Sequence, residues 1–402
     1  MSRRVGLWLI GGCGGVGSTA AIGLSLLAKG LTPSVGMVSA LPLFADVDLD
    51  APETFVVGGH DIRTARFVEA VRSLHERSGI FTSDQLRAAH DDLVAWGENI
   101  RPGTIIRAGS TISGMADRDS VAIVATAFEA IDRIQTDLTE FRDRHSLDQV
   151  VVINTASTEP EFAETDDHQS VHNLTAQLDR EGESVLPASS LYAMAALEMG
   201  IPYVNFTPSV GASLPALDEL ARMRNVPYAG KDGKTGETLI KTVLAPMFVL
   251  RNLKVRSWVG HNILGAGDGR VLADPENKAT KIRTKDAVLG SLLGYKAQSH
   301  VSIEYIESMD DWKTAWDHIH FEGFLGTKMM MQFTWQGCDS ILAAPLVLDL
   351  ARLTLLAQRR KESGVLRHLA CFFKSPMGVE EHDFFIQNQM LVEYLMQAGA
   401  RQ

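Results

Sequence analysis

The glycines that follow the first apolar segment have a spacing suited to binding a dinucleotide. The run RVGLWLI is followed by GGCGGVGST, which holds the pattern GxGxxG directly before a segment with helical periodicity. Glycines there permit a tight turn and a close approach of the backbone to a pyrophosphate, and the helix N-terminus offers free N–H groups. This context favours a nucleotide site over a glycine turn without a ligand. The predicted cofactor contacts are Gly12, Cys13, Gly14, Gly15, Val16 and Gly17.

A lysine-rich stretch stands out because the chain as a whole is acidic, with a formal net charge of −11. The segment DPENKATKIRTKDAV, residues 274–288, contains Lys278, Lys281, Arg283 and Lys285. If this segment is helical, Lys281 and Lys285 share one face. Spacing alone favours a solvated helix face over a site that binds an anion.

Two further segments place polar side chains beside glycines. In KDGKTGET, Asp232 precedes a helix for which Thr235 or Thr238 is the expected N-cap, and the turn is either a plain cap or a phosphate contact. In NILGAGDG, Asp268 lies between glycines, where a turn residue is the simpler interpretation.

Two segments near the C-terminus combine polar and apolar residues. CDSILAAP places Asp339 and Ser340 at the start of an apolar helix. FFKSP places Lys374 behind two phenylalanines, so its ammonium is either held in an unusual environment or extended to the surface.

The acidic residue expected to bind the cofactor ribose is not evident. It normally follows the glycine loop by about 20 residues, at the end of the second strand. We predict that strand in SVGMVSALPLF, where Ser39 and Ala40 occupy the expected position. Asp61, in GGHDI, is the alternative, and the residues alone do not decide between NAD and NADP.

The elements that position these residues alternate along the first part of the chain. Apolar strands and amphipathic helices follow one another to Gly230, which is typical of β-α-β units with a parallel sheet. Beyond it, a mixed or antiparallel sheet is predicted, and SILAAPLVLDLARLTLLAQRRK predicts a buried helix. We therefore predict an α/β fold with a Rossmann-type domain (residues 1–232), an inserted α+β domain (233–338) and C-terminal helices (339–402) that return to the first domain.

Composition excludes several classes of protein. Of the 402 residues, 45% are hydrophobic and 22% are charged, which excludes a disordered chain. The acidic balance disfavours nucleic-acid binding, and no apolar run is long enough to predict a membrane span. Cys13, Cys338 and Cys371 form neither an even set nor a CxxC pair. We therefore predict a cytoplasmic protein without a disulfide framework or a metal site.

Taken in order, these segments resemble the inositol-3-phosphate synthase family, also called myo-inositol-1-phosphate synthases, as a divergent prokaryotic member. Each motif is weak by itself, but their collinear order along nearly the whole chain is specific. The motifs are GGCGGVGST, GGHDI, INTASTE, PYVNFTPS, KDGKTGET, NILGAGDG, KATKIRTK, CDSILAAP and FFKSP.

The resemblance implies an isomerase (intramolecular lyase) of inositol and phospholipid biosynthesis that uses a tightly held NAD. It converts glucose 6-phosphate to 1D-myo-inositol 3-phosphate by oxidation at carbon five, loss of a proton at carbon six, aldol attack on carbon one and reduction of the ring ketone. It also implies that the inserted domain is the catalytic and oligomerisation domain of a homotetramer, with a sugar phosphate as substrate and no nucleic-acid or membrane partner.

Matching the motifs position by position carries functional residues over. The aspartates of the family's GDD-type turn, NDG loop and EDS turn fall on Asp232, Asp268 and Asp339. Lys281 and Lys374 are implied as partners of an oxyanion or substrate hydroxyl, and Lys285 as a proton-transfer or phosphate-side lysine. With Glu304, the implied catalytic set is Lys281, Lys285, Lys374, Asp232, Asp268 and Glu304. Cofactor contacts beyond the glycine loop are Asp61, Thr155, Ala156, Thr235, Asp339 and Ser340.

The chain departs from the family at several of these positions. Glu304 replaces the lysine of a VIKY-type strand, a reversal of two charge units that requires a different substrate, pose or bound cation. Ala266 and Gly267 replace two asparagines, His60 replaces a tryptophan and Pro160 an arginine. Three alternatives follow: a cyclase for another sugar phosphate such as fructose 6-phosphate, a simple NAD-dependent oxidoreductase, or an inactive NAD-binding protein.

Overall fold

The computed structural model describes residues 3–180, 182–265, 269 and 289–400. Within these residues the strands form two sheets. The first contains β1 (Val5–Ile10), β2 (Phe55–Asp61), β3 (Ile100–Pro102), β4 (Gln149–Asn154), β5 (Tyr203–Asn205), β6 (Pro227–Gly230) and β11 (Gly364–Val365). The second contains β7 (Lys254–Leu264), β8 (Gln298–Tyr305), β9 (Trp312–Glu322) and β10 (Lys328–Cys338).

Helices connect and cover these strands. Those described are α1 (Gly15–Ala28), α2 (Phe67–Ser78), α3 (Ser83–Gly97), α4 (Ser110–Gly114), α5 (Ala127–His145), α6 (Val171–Thr175), α7 (Ala188–Glu198), α8 (Pro215–Arg224), α9 (Glu237–Leu250), α10 (Asp339–Arg359) and α11 (Phe384–Gly399).

The first sheet has the strand order of a doubly wound fold. Its order is β11-β6-β5-β4-β1-β2-β3, and every pairing is parallel. The chain moves outward from β1 to β3 and then returns to place β4 on the other side of β1. This reversal opens a crevice at the carboxyl ends of β1 and β4, where ligands bind in such sheets. The predicted α/β Rossmann-type fold is confirmed.

Both faces of this sheet are covered, which explains why its central strands are apolar at nearly every position. All six residues of β1 are buried. Leu7 and Leu9 pack in a cluster with residues of α1, α3 and α10. Trp8 and Ile10 face the other way and pack with residues of α5 and α7. A strand buried on both faces loses the alternation of polar and apolar residues.

The prediction of a strand in SVGMVSALPLF is wrong. This segment forms two short 3₁₀ helices, Val38–Ala40 and Pro42–Phe44. The buried carboxylate of Asp349 accepts hydrogen bonds from the N–H groups of Val38 (2.6 Å) and Ser39 (3.1 Å), and Pro42 has no N–H to donate. The backbone is thereby satisfied outside a sheet, and β2 is formed later by FVVGGHD.

The second sheet is mixed, as predicted. Its order is β10-β9-β7-β8; β7 pairs with β8 in parallel and with β9 antiparallel. One face packs on α9, where Phe248, Trp258 and Ile319 are fully buried. The boundaries proposed at residues 232/233 and 338/339 stay predictions.

Helix α10 is the core helix that the sequence predicts. In the part of the chain that the structure describes, it is the one helix long and apolar enough to cross a membrane, with a mean hydropathy of 1.7 over 18 residues. However, 72% of that window is buried inside the structure. Its length and composition are therefore those of a helix that packs against the parallel sheet.

His60 lies at a buried polar junction between β1, β2 and α5. Trp8 Nε1 donates to His60 Nδ1 at 2.9 Å, and His60 Nε2 lies 3.1 Å from Asp137 Oδ2. Because an indole N–H can only donate, Nδ1 is the acceptor and Nε2 carries the proton. Burial lowers the pKa of His60, so the ring is neutral at pH 7.

We expect this neutral histidine to make stability depend on pH. Below about pH 6.5 the unfolded chain protonates His60 but the folded chain resists it, so the free energy of unfolding falls as pH falls. The substitution His60→Gln can keep both hydrogen bonds without titrating. In urea unfolding at pH 7.5 and pH 5, the variant should lose less stability than the wild type. An equal loss in both proteins would contradict a buried neutral His60.

Candidate active site

The glycine loop joins β1 to α1 in a turn that tolerates few side chains. Gly14 N–H donates to Gly11 O at 2.9 Å, and Gly11 has φ +73°. A Cβ at position 17 would lie 2.5 Å from Gly12 O. Gly14 is the N-cap of α1 and provides no side chain to satisfy the first N–H groups. These groups therefore remain available for an anion.

The end of β2 holds this loop in place. The His60 carbonyl accepts hydrogen bonds from the N–H groups of Gly11 (2.8 Å) and Gly12 (3.3 Å). Asp61 Oδ2 accepts from Cys13 N–H at 2.8 Å, and Asp61 Oδ1 lies 3.1 Å from Arg63 Nε. Asp61 occupies the strand-end position of the ribose-binding acid, which we sought at Ser39 because β2 was misplaced. The sequence reasoning missed Arg63.

Thr155 and Ala156 lie across the crevice from the glycine loop. Thr155 donates to Ile10 O through both its N–H and its hydroxyl, each at 2.9 Å. A Cβ at Gly11 would lie 2.8 Å from Ala156 Cα. The structure therefore brings these two predicted contacts directly against the loop.

Asp339 and Ser340 begin α10, whose N-terminus meets that of α1. A Cβ on Gly15 would lie 3.7 Å from Ser340 Cβ and 3.4 Å from Asp311 Oδ1. Asp311 Oδ2 accepts hydrogen bonds from Ser340 N–H (3.0 Å), the Ser340 hydroxyl and Cys338 Sγ (2.7 Å). Burial raises the pKa of Asp311, which the sequence reasoning also missed. Two helix N-termini thus converge beside the crevice, where their dipoles favour negative charge.

Asp232 and Lys374 form an ion pair at the carboxyl end of β6. Lys374 Nζ lies 2.8 Å from Asp232 Oδ1, and Lys374 N–H donates to Asp232 O at 2.6 Å. The side chains are only 12% and 8% exposed. Lys374 is therefore held in the interior rather than extended to the surface, and it meets Asp232, which lies 142 positions earlier in the chain.

Thr235 lies in the turn after this pair but does not cap α9. The N-cap is Gly236, without a side-chain cap, and Thr238 lies buried within the first turn. Backbone bonds hold the turn instead, from Gly233 N–H to Phe206 O (3.0 Å) and from Lys234 N–H to Phe372 O (2.8 Å). The prediction of a threonine cap is wrong.

Polar residues at the ends of β4 and β5 form a network that the sequence reasoning did not assign. Asn205 Oδ1 accepts from Thr207 Oγ1 at 2.8 Å and lies 3.3 Å from Asn154 Nδ2. Glu159 accepts from Ser189 N–H at 2.7 Å, and burial raises the pKa of Glu159 to about 7. Their position directly after apolar strands, in INTASTE and PYVNFTPS, was the signal that would have found them.

Four further predicted catalytic residues are not among the contacts described above. Lys281, Lys285 and Asp268 lie outside the described residues. Glu304 lies on the edge strand β8 with an exposed side chain, opposite Ile263 of β7. Searched over the described ranges, His, Cys, Asp and Glu form no group of three or more suited to a metal ion.

A sequence model described as myo-inositol-1-phosphate synthase matches residues 5–396. The chain belongs to this family. It is 33% identical to inositol-3-phosphate synthase 1 of Bacteroides thetaiotaomicron, over 98% of this chain and 95% of the relative. It is 30% identical to inositol-3-phosphate synthase of Dictyostelium discoideum, over 89% and 75% of the two chains. The predicted family membership is confirmed.

Solved structures of similar proteins share the fold. A myo-inositol-1-phosphate synthase-related protein from Thermotoga maritima aligns with a TM-score of 0.79 and 25% identity, over 98% of this chain and 99% of that one. Inositol-3-phosphate synthase from Caenorhabditis elegans aligns with a TM-score of 0.87, over 99% and 86% of the chains, and its 24% identity makes it evidence for the fold alone.

The cofactor of this family of NAD-binding proteins is NAD, as predicted. The residues present fit it, because the glycine cradle would be filled by a Cβ at position 17 and the uncapped N-terminus of α1 faces the crevice. Asp61 stands at the strand end suited to a ribose hydroxyl.

The substitution Gly17→Ala should weaken NAD binding at least tenfold, because its methyl group would force Gly12 O away from its position. Gly23→Ala in the same helix is a matched control, since a Cβ there meets nothing within 4 Å. It should bind NAD normally and unfold at equal or higher temperature. Calorimetric titration measures the NAD affinity of each variant, and thermal unfolding measures its stability. Equal NAD affinity of Gly17→Ala and wild type would contradict a role of the glycine loop in binding the cofactor.

Proposed function

We propose that this protein is an NAD-dependent inositol-3-phosphate synthase that converts glucose 6-phosphate to 1D-myo-inositol 3-phosphate. The observation that carries this proposal is the buried Asp232–Lys374 ion pair at the same sheet edge as the NAD crevice. NAD supplies a reversible hydride acceptor, which lets the sugar be oxidised and later reduced without net change.

Lys374 is the residue best placed to stabilise negative charge on the substrate. Enolisation and aldol closure develop an enolate and then an alkoxide, and a fixed ammonium in a largely dry site stabilises such charge in the transition state. Asp232 orients this ammonium through the 2.8 Å contact, so that little reorganisation is needed as charge develops. We therefore assign Lys374 to the oxyanion and Asp232 to its positioning.

Family motifs support roles for three further residues. We propose Lys281 as a second oxyanion or hydroxyl partner, Lys285 for proton transfer or phosphate binding, and Asp268 as an orienter. We also propose cofactor contacts by the glycine loop, Asp61, Thr155, Ala156, Thr235, Asp339 and Ser340.

A different sugar phosphate, such as fructose 6-phosphate, is the second candidate substrate. Glu304 favours it, since a carboxylate replaces a family lysine and lies on the exposed edge strand of the second sheet. A cyclase with one fewer lysine at its site would suit a substrate that develops charge elsewhere.

We further propose a cytoplasmic homotetramer that associates through the second sheet. Its hairpin and strands expose large apolar side chains, among them Phe324 (87%), Leu325 (86%) and Met330 (65%). Exposed apolar surface of this kind is characteristic of protein interfaces. The three cysteines are free and buried, as expected of a protein in a reducing compartment.

The purified protein with NAD should convert glucose 6-phosphate to an inositol phosphate, detected by phosphorus NMR, without a net rise in absorbance at 340 nm. Fructose 6-phosphate is tested in parallel. A steady accumulation of NADH would instead identify a simple oxidoreductase. If neither sugar phosphate is turned over, the proposed function is refuted.

The substitution Lys374→Met should lower kcat at least a hundredfold, because removal of one oxyanion-stabilising group costs about 10²–10³ in rate. The affinity for NAD should stay within threefold. Lys361→Met, at an exposed lysine after α10, is the matched control and should keep wild-type activity. Circular dichroism verifies that both variants fold, and a kcat near that of wild type for Lys374→Met would exclude it from the site.

A further inference from the structure

The turn after β6 carries a second lysine, Lys231, beside the Asp232–Lys374 pair. Lys231 is half-buried, and neither a hydrogen bond nor an ion pair reaches its Nζ from the residues that the structure describes. The neighbouring lysines are both engaged. Lys374 pairs with Asp232, and Lys234 Nζ donates to Gln387 Oε1 at 2.6 Å. Lys231 is therefore the ammonium of this turn that is available to a ligand.

The ammonium of Lys231 is partly removed from water, so its charge is less well solvated than that of an exposed lysine. Burial lowers the pKa of Lys231, while the carboxylates of Asp232 and Glu164 raise it in part without forming an ion pair. Removing an ammonium from water costs free energy unless an anion replaces the lost solvation. A bound anion would supply that replacement.

Lys231 directly follows β6, so it lies at the carboxyl edge of the parallel sheet. The next residue along the chain is Asp232 of the Asp232–Lys374 pair. The backbone of Lys231 is fixed, because Lys231 N–H donates to Ser375 O (3.0 Å) and Ser375 N–H to Lys231 O (3.2 Å).

We propose that Lys231 binds the phosphoryl group of the sugar-phosphate substrate and is a specificity-determining residue of this site. The inference rests on the proposed function. A phosphate monoester carries close to two negative charges at pH 7, and a lysine ammonium binds it as a point charge. Lys374 already forms an ion pair with Asp232, whereas Lys231 forms none with the described residues and can pair with a ligand that is anionic before any reaction occurs.

The test compares Lys231→Met with Lys231→Arg and the exposed control Lys361→Met in the NAD-loaded enzyme. Loss of a charge-assisted contact should raise KM for glucose 6-phosphate at least tenfold in Lys231→Met and change kcat less than threefold. Lys231→Arg should recover most of the affinity, and Lys361→Met should match the wild type. Competitive inhibition by inorganic phosphate should weaken by a similar factor in Lys231→Met, while the affinity for NAD stays the same.

Failure of this inference is distinguishable from failure of the proposed function. If wild type turns over glucose 6-phosphate but Lys231→Met keeps both KM and phosphate inhibition, Lys231 does not bind the phosphoryl group. If wild type turns over no sugar phosphate, the proposed function fails. Calorimetric titration of inorganic phosphate into wild type and Lys231→Met then decides the role of Lys231: weaker binding to the variant supports it, and equal or absent binding refutes it.

Discussion

The hydrogen bonds between the glycine loop and the end of β2 are the interactions on which the rest of the site depends. The carbonyl of His60 and the carboxylate of Asp61 together accept three N–H groups of the loop. They leave the N-terminus of α1 uncapped and aimed along the crevice. Without this support the N–H groups of the loop would need other acceptors, and the loop would change its conformation. The free N–H groups at the start of α1 would then no longer be directed toward a pyrophosphate.

The same sheet edge receives the ammonium of Lys374 from a distant part of the chain. The second sheet lies between β6 and α10 in sequence, so Lys374 returns to the end of β6 only after that excursion. The segments around Asp232 and Lys374 are joined by backbone hydrogen bonds as well as by the ion pair. Because both the backbones and the side chains are joined, the ammonium is held in place by more than its own flexible side chain.

The two sides of this sheet edge present different kinds of chemical group. The cofactor side uses glycines and backbone groups, which substitutions elsewhere leave untouched. On the side of β6, the proposed substrate contacts are single charges, Lys231 and Lys374, which point mutations can change. Because each ammonium contributes a whole unit of charge in a partly desolvated crevice, moving one alters which anionic group is bound best.

Local patterns predicted much of the fold. The strand–glycine–helix start, helix α10 and the mixed second sheet follow from hydrophobic periodicity and from glycine, both of which act over a few residues. The second strand was misplaced because SVGMVSALPLF is as apolar as a strand. Its backbone is satisfied by Asp349, a residue 311 positions away from Val38, which no local pattern reveals.

The sequence by itself therefore determined the family, the glycine loop and the alternation of strands and helices, since these depend on residue types and short spacings. Only the tertiary structure decided that Asp61 supports the loop and that Lys374 is paired with Asp232. It also decided that, among the residues it describes, none pairs with the ammonium of Lys231. The physical reason is that the charge available at a site depends on which distant groups pack beside it.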